Sequence, residues 1–147
     1  MDPAGELRVT SLAEHRRALR DALDGNVKVT INGQEFDPAL YSVVPEAVAP
    51  PCLIVGPADP YVDPWAENTA LGESQLNYVV IVTASQGVNE VTADQVDEML
   101  TGSLRALAAL DDFTVEQVDA PGKVSLNGQS YLGAVIRLFT YAQLMED

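Results

Sequence analysis

Side chains that carry chemistry are scarce in this chain, and cations are few. It has one cysteine (Cys52), one histidine (His15) and eight Lys or Arg in 147 residues. A lone cysteine excludes an internal disulfide. With Pro50, Pro51, Leu53, Ile54 and Val55 around it, the Cys52 thiol reads as a small buried hydrophobe rather than a nucleophile. His15 lies in a helical segment beside Arg16 and Arg17, a poor setting for a general base, which must gain a proton. The spacings CxxC, HExxH and GxxxxGK are all absent, which removes the common zinc and nucleotide-phosphate sites. No catalytic residue, metal or cofactor is therefore expected. No run of about 18 apolar residues occurs, so no helix is expected to span a bilayer. The start Met1-Asp2-Pro3-Ala4-Gly5-Glu6 has neither the basic nor the apolar part of a secretory signal, so a cytoplasmic setting is expected.

What is abundant is carboxylate. Twenty-two Asp and Glu give a net charge of −14, and the eight bases are unevenly placed. Arg8, Arg16, Arg17, Arg20 and Lys28 fall in the first 28 residues, and no Lys or Arg follows until Arg105, while eleven carboxylates occupy the gap. Tight phosphate binding depends on clustered cations, so tight nucleic-acid binding is not expected. An acidic surface of this kind keeps a protein soluble and repels DNA. Hydrophobic residues make up 47% of the chain, too many for disorder and enough for one core, which predicts a single domain over 1–147.

The hydrophobic pattern alternates between helical and strand periods. Ser11-Leu12-Ala13-Glu14 is a capping box, Leu12, Leu19 and Leu23 recur at helical spacing, and Gly25 stops the helix, which predicts a helix over 11–24. Val27, Val29 and Ile31 alternate with polar residues into the hairpin signal Asn32-Gly33. Cys52-Leu53-Ile54-Val55 reads as a short buried strand ended by Gly56-Pro57. Residues 56–72 hold Pro57, Pro60 and Pro64, a density that predicts a long loop. A strand resumes over 76–84, with Tyr78-Val79-Val80-Ile81-Val82 apolar on both faces. Thr92-Ala93-Asp94-Gln95 predicts a second cap. The helix behind it, over 93–110, carries Val96, Met99, Leu100, Leu104 and Leu107 on one stripe.

Three strands close the chain, over 113–118, 123–126 and 129–141, the last two joined by Asn127-Gly128. The last strand places Tyr131, Val135, Arg137, Phe139 and Tyr141 on one face and Leu132, Ala134, Ile136, Leu138 and Thr140 on the other. The expected fold class is α+β: two helices packed on one mixed, largely antiparallel sheet, with a long Pro-rich loop. Asp59, Asp63 and Glu67 fall four apart in that loop and carry oxygen ligands suited to a hard cation. The intervening prolines break the EF-hand pattern, so a solvated acidic loop is expected instead.

A resemblance rests on the segment Pro50-Pro51-Cys52-Leu53-Ile54-Val55-Gly56-Pro57-Ala58-Asp59-Pro60-Tyr61-Val62, the Val-rich strand after it, the helix Val96-Asp97-Glu98-Met99-Leu100, and Tyr131-Leu132-Gly133-Ala134-Val135-Ile136. In this order and length the chain resembles the tail terminator proteins of long-tailed (siphovirus-type) bacteriophages that infect actinobacteria. The resemblance implies a homo-hexameric ring that caps the tail tube, stops polymerisation of the major tail-tube protein and offers its other face to a head-completion or stopper protein. It also implies assembly in the host cytoplasm and a final place in the virion, at the tail-neck junction. No catalytic residues come with it. On this reading Asp59, Tyr61, Asp63, Trp65, Glu67, Arg16, Arg17 and Arg20 are candidates for subunit or tail-tube contacts. Glu35, Asp37, Glu90 and Asp94 are candidates for a lumen that DNA passes without tight binding. The alternatives are another neck or head-completion protein and an acidic metal-binding enzyme using Asp59, Asp63 and Glu67.

The charge distribution makes a direct prediction. In anisotropy titrations at physiological salt the protein shows no salt-sensitive affinity for duplex DNA, and sub-micromolar binding would contradict the repulsive surface.

Overall fold

In the computed structural model, which describes residues 9–64 and 73–144, a short strand β1 (Val9–Thr10) leads at once into α1 (Leu12–Leu23). The Ser11 hydroxyl accepts the Glu14 backbone N–H at 3.1 Å, satisfying one of the donors that a helix start leaves without a partner. His15, Leu19 and Leu23 are buried on one face. The hairpin follows as expected: β2 (Val29–Ile31) pairs antiparallel with β3 (Gln34–Phe36). Asn32 and Gly33 between them hold φ of 52° and 80°, the left-handed pair that matches strand twist in a tight hairpin. This hairpin forms a ribbon of its own, outside the main sheet.

The segment read as a loop over 56–72 is corrected over its first half. β4 (Ala39–Tyr41) runs parallel to the start of β5 (Cys52–Asp63), and β5 continues straight through Pro57 and Pro60. Proline breaks a strand that must donate to neighbours on both sides. Here β4 borders β5 only along Cys52–Ile54, so the prolines lie where β5 has one partner strand among the described residues, the edge position in which proline is tolerated. A register shift between Pro57 and Val62 absorbs the misfit. The rest of that segment, residues 65–72, lies outside the described residues.

The second helix also starts earlier than predicted. α2 (Glu90–Ala108) is capped by Asn89, whose side chain accepts the Thr92 N–H at 3.0 Å while the Thr92 hydroxyl accepts the Asn89 N–H at 3.0 Å. Thr92 is thus the inner partner of the capping box rather than the cap. Gln95, its expected partner, instead accepts the Ser85 N–H at 2.9 Å. The predicted stripe holds: Val96, Met99 and Leu107 are buried, and Leu100 and Leu104 are half-buried against the same core.

β6 (Ser74–Thr83) and β9 (Gln129–Leu144) form the centre of the sheet, antiparallel over ten residue pairs. The strand order is β1-β9-β6-β5-β4, and β7 (Thr114–Val118) and β8 (Gly122–Leu126) also pair with β9. β1 with β9 and β4 with β5 are parallel, and the other pairings are antiparallel. The fold is α+β, two helices on a mixed, mostly antiparallel sheet. β1 and β4, of two and three residues, are too short to show alternation and were not expected. No helix among the described residues is long and apolar enough to cross a membrane.

Alternation divides the sheet into two faces. Leu53, Val55, Leu76, Tyr78, Val80, Val82, Ala134, Ile136 and Leu138 meet both helices on the front. A smaller cluster of Cys52, Ile54, Leu126 and Tyr131 fills the upper rear, with Tyr41 and Val48 packed against it. Where β6, β8 and β9 converge, Gly133 pairs with both Thr83 and Gly122, and a Cβ there would lie 2.4 Å from the Val82 carbonyl oxygen. Only glycine fits.

The graded burial of α2 sets the expected mutational costs. Met99→Ala should lower stability by about 2–5 kcal/mol in urea melts, the range for emptying a full core site. Leu104→Ala should cost clearly less, about 1–2 kcal/mol, because the side chain is half-exposed. The reverse order would mean the helix presents a different face.

Candidate assembly surface

Both helices lie on the front of the sheet, which leaves the lower rear face to be accounted for. There the odd-numbered residues of β9 point away from the helices, and Val135, Arg137, Phe139 and Tyr141 remain half-exposed. Phe139 and Tyr141 meet edge to face with ring centroids 5.4 Å apart. Asn77 and Gln75 of β6 stand opposite these two aromatics in the ladder, and Asp63 of β5 stands opposite Gln75.

The irregular part of β5 opens a hollow at the margin of this face. About 290 Å³ in volume, it is lined by Asp59, Asp63, Gln75, Asn77, Glu116 and Arg137, among others. Gln75 donates to Asn77 at 2.8 Å, and Asn77 donates to the Pro60 carbonyl at 3.0 Å, fastening the shifted strand to β6. On the far side a register shift between Val115 and Gln117 sets Glu116 on the hollow's rim. Arg137, the cation in the lining, is engaged by Asp119, with Nη2 and Oδ2 3.5 Å apart. The hollow is therefore rich in acceptors and suited to cationic or hydrogen-bond-donating groups. Neither a cysteine, a serine nor a histidine lines it. Among the described residues no group of three or more His, Cys, Asp or Glu is arranged to hold a metal ion.

The candidates named from the sequence fall in four places. Asp59 and Asp63 line the hollow, Asp59 exposed and Asp63 half-buried. Tyr61 turns to the front instead: half-buried, it packs against the main core with its ring edge-on to Tyr78 at 5.5 Å. Trp65 and Glu67 lie outside the described residues. On α1, Arg17 and Arg20 are exposed, while Arg16 is half-buried with its Nε shielded and without a hydrogen-bond partner.

Among the carboxylates considered for a lumen, Glu35 and Asp37 belong to the ribbon and its exit, and Lys28 donates to Asp37. That bond raises the Lys28 pKa. Glu90 and Asp94 are exposed near the start of α2, where the helix dipole favours negative charge. One turn beyond Asp94, Glu98 accepts from the Thr30 N–H at 2.6 Å and hydroxyl at 2.9 Å, which docks the ribbon beside α2. Glu35 and Asp37 thus lie on the ribbon and its exit, Glu90 and Asp94 in the first turns of α2, and none of the four lines the hollow that holds Asp59 and Asp63. Arg137, Glu116, Gln75 and Asn77 of the hollow were not singled out as site residues. The alternation of β9 did place Arg137 beside Phe139 and Tyr141, but the two strand irregularities that form the hollow leave no sequence period.

The buried ionisable groups serve the core. Tyr78 is fully buried and donates its hydroxyl to the Leu12 carbonyl at 3.0 Å, tying the sheet to the first turn of α1. Burial pushes its pKa above the usual tyrosine range. His15 is 5% exposed, its Nδ1 3.2 Å from the Ser11 carbonyl and its ring edge-on to Phe113. Burial likewise pushes the Cys52 thiol up to about 11, against a smaller opposite pull from Thr83. Neither His15 nor Cys52 lines the hollow, whereas Tyr78 does so alongside its core contacts.

No protein-family model matches the chain, and no curated protein matches it.

The raised Cys52 pKa has a sign that stability measurements can read. Between its ordinary value of 9.0 and about 11, the unfolded chain releases a proton that the folded chain retains. Stability should therefore be complete below pH 9 and fall as pH rises toward 11, by up to about 2–3 kcal/mol from this group. Urea melts across that window should show the loss in the wild type and a smaller one in Cys52→Ala. Equal slopes would remove Cys52 as the source.

Proposed function

We propose that this chain is a phage tail terminator: a structural protein that forms a ring on the end of the tail tube, stops its growth and provides the joint to the head-completion proteins. The observation that carries the reading is the one-sided layering of the sheet. Both helices cover the front, while the lower rear presents Val135, Phe139 and Tyr141 half-exposed beside an acceptor-rich hollow. Apolar and aromatic groups of this kind mark an interaction surface. The element order and the Pro50–Val62 segment that carry the resemblance support the same reading, and the two helices on a mixed sheet agree with it.

The acidity suits the role. DNA leaving a capsid would pass through such a ring, and carboxylates at Glu35, Glu90 and Asp94 around α2 and the ribbon would repel phosphates rather than hold them. Asp37 contributes less, because Lys28 neutralises it. The partners on this reading are other copies of the chain, the major tail-tube protein and a head-completion or stopper protein. The place of action is the tail-neck junction of the virion.

Negative-stain microscopy of the protein mixed with tail-tube subunits tests the proposal. Rings of the protein alone, and tubes capped at one end and shortened as its concentration rises, are the expected result. Rings that seat on head connectors and leave tube length unchanged would assign the chain to another neck component. Absence of any ring or cap would overturn the reading.

A further inference from the structure

We propose that the lower rear face of the sheet, with the acidic hollow at its margin, is the seat for the arginine-bearing face of α1 from a second copy of this chain. The inference rests on the ring-forming reading and gives that ring its contact.

Charge is the first argument. A chain of net charge −14 repels its own copies unless cations of one meet anions of the next. Lys28 and Arg137 are already engaged, by Asp37 and Asp119. α1 holds the densest group of the rest: Arg17 and Arg20 are exposed, three residues apart on one side of the helix, and neither guanidinium has an ion pair or hydrogen bond among the described residues. The complementary group is on the rear face, where Asp59 and Glu116 are exposed at the hollow and the guanidinium within it is taken. Guanidinium forks bind carboxylates through paired hydrogen bonds and also stack on aromatic rings, which Phe139 and Tyr141 supply on the same face.

Geometry is the second argument. α1 packs on the front of the sheet and the hollow opens at the rear, so the two patches face away from each other on one molecule. A contact between them cannot be the self-matching kind that closes a two-fold dimer. It is head-to-tail: each copy gives its α1 to one neighbour and receives α1 from the other, and such a contact closes into a ring when the rotation permits.

Charge reversal tests the pairing. Arg17→Glu/Arg20→Glu makes α1 acidic, and Asp59→Lys/Glu116→Lys makes the hollow basic. All four positions are exposed, so thermal melts should match the wild type. In analytical ultracentrifugation each double variant alone should associate at least about tenfold more weakly than the wild type, because every contact sets like charges together. A 1:1 mixture of the two should recover rings, since every contact in an alternating ring pairs opposite charges. Glu90→Lys/Asp94→Lys, elsewhere on the surface, should leave the rings intact.

Wild-type rings that both double variants still form, or that the 1:1 mixture does not restore, overturn the pairing while the ring reading stands. Variants that keep their rings but no longer cap tubes overturn it too, and assign the hollow to the tube protein. A Glu90→Lys/Asp94→Lys variant that loses rings to the same degree overturns it in favour of a general charge effect. A wild type that forms no ring, alone or on tubes, removes the ring reading and the pairing together.

Discussion

The ten-residue antiparallel ladder between β6 and β9 is the constraint on which the rest of the structure depends. β9 has 16 residues, about 50 Å at the usual rise per residue, and it holds β6 along one side and β8, β7 and β1 in succession along the other. A slip of β9 by one residue against β6 would exchange the two faces of β9. Ile136 and Leu138 would leave the helices, and Arg137 would enter the core. Gly133 helps fix the register, because a side chain there would run into the Val82 carbonyl oxygen of β6 and the Val124 side chain of β8.

The same register couples the core to the surface on which assembly would occur. Tyr78 stands on the front between Asn77 and Val79, and its hydroxyl reaches the backbone of α1. Its ring also meets Tyr61 and Phe113 edge to face, at 5.5 and 6.0 Å. One residue away, Asn77 faces the rear and holds the Pro60 carbonyl. The position of α1 on one face and the shape of the hollow on the other are thus set by adjacent residues of a single central strand. A change that loosens that strand would disturb both at once.

Local chemistry made much of the fold legible from the sequence. Asn32-Gly33 and Asn127-Gly128 both adopt left-handed φ values that few other residue pairs tolerate, so both hairpins were where the sequence placed them. The stripe of α2 and the two faces of β9 followed from periods of 3.6 and 2. Three features were not legible. β5 continues through Pro57 and Pro60 because only one of its edges is paired there, a tertiary fact. The cap of α2 is Asn89 because Asn89 and Thr92 suit each other as a box, whereas Thr92 with Gln95 looked equally suitable in one dimension. Of the hollow, Asp59 and Asp63 drew notice as carboxylates in a proline-rich stretch. Glu116 and Arg137 did not, since they reach it through a shifted strand and a neighbour distant in sequence.

The prolines of β5 bear on more than local geometry. Beyond Ile54 that strand has one edge with no partner strand among the described residues, the place where a sheet is exposed to another chain adding itself by backbone hydrogen bonds. Pro57 and Pro60 carry no N–H, and the register shift bends the strand between them, so an incoming strand would find donors missing and the spacing wrong. Copies that meet at this margin are left with side-chain contacts. Such contacts loosen in salt and reform on dilution of the salt, whereas cross-strand growth proceeds toward fibres and does not reverse. In the proposed ring the proline edge would thereby select between two kinds of self-association, admitting the adjustable one and blocking the irreversible one.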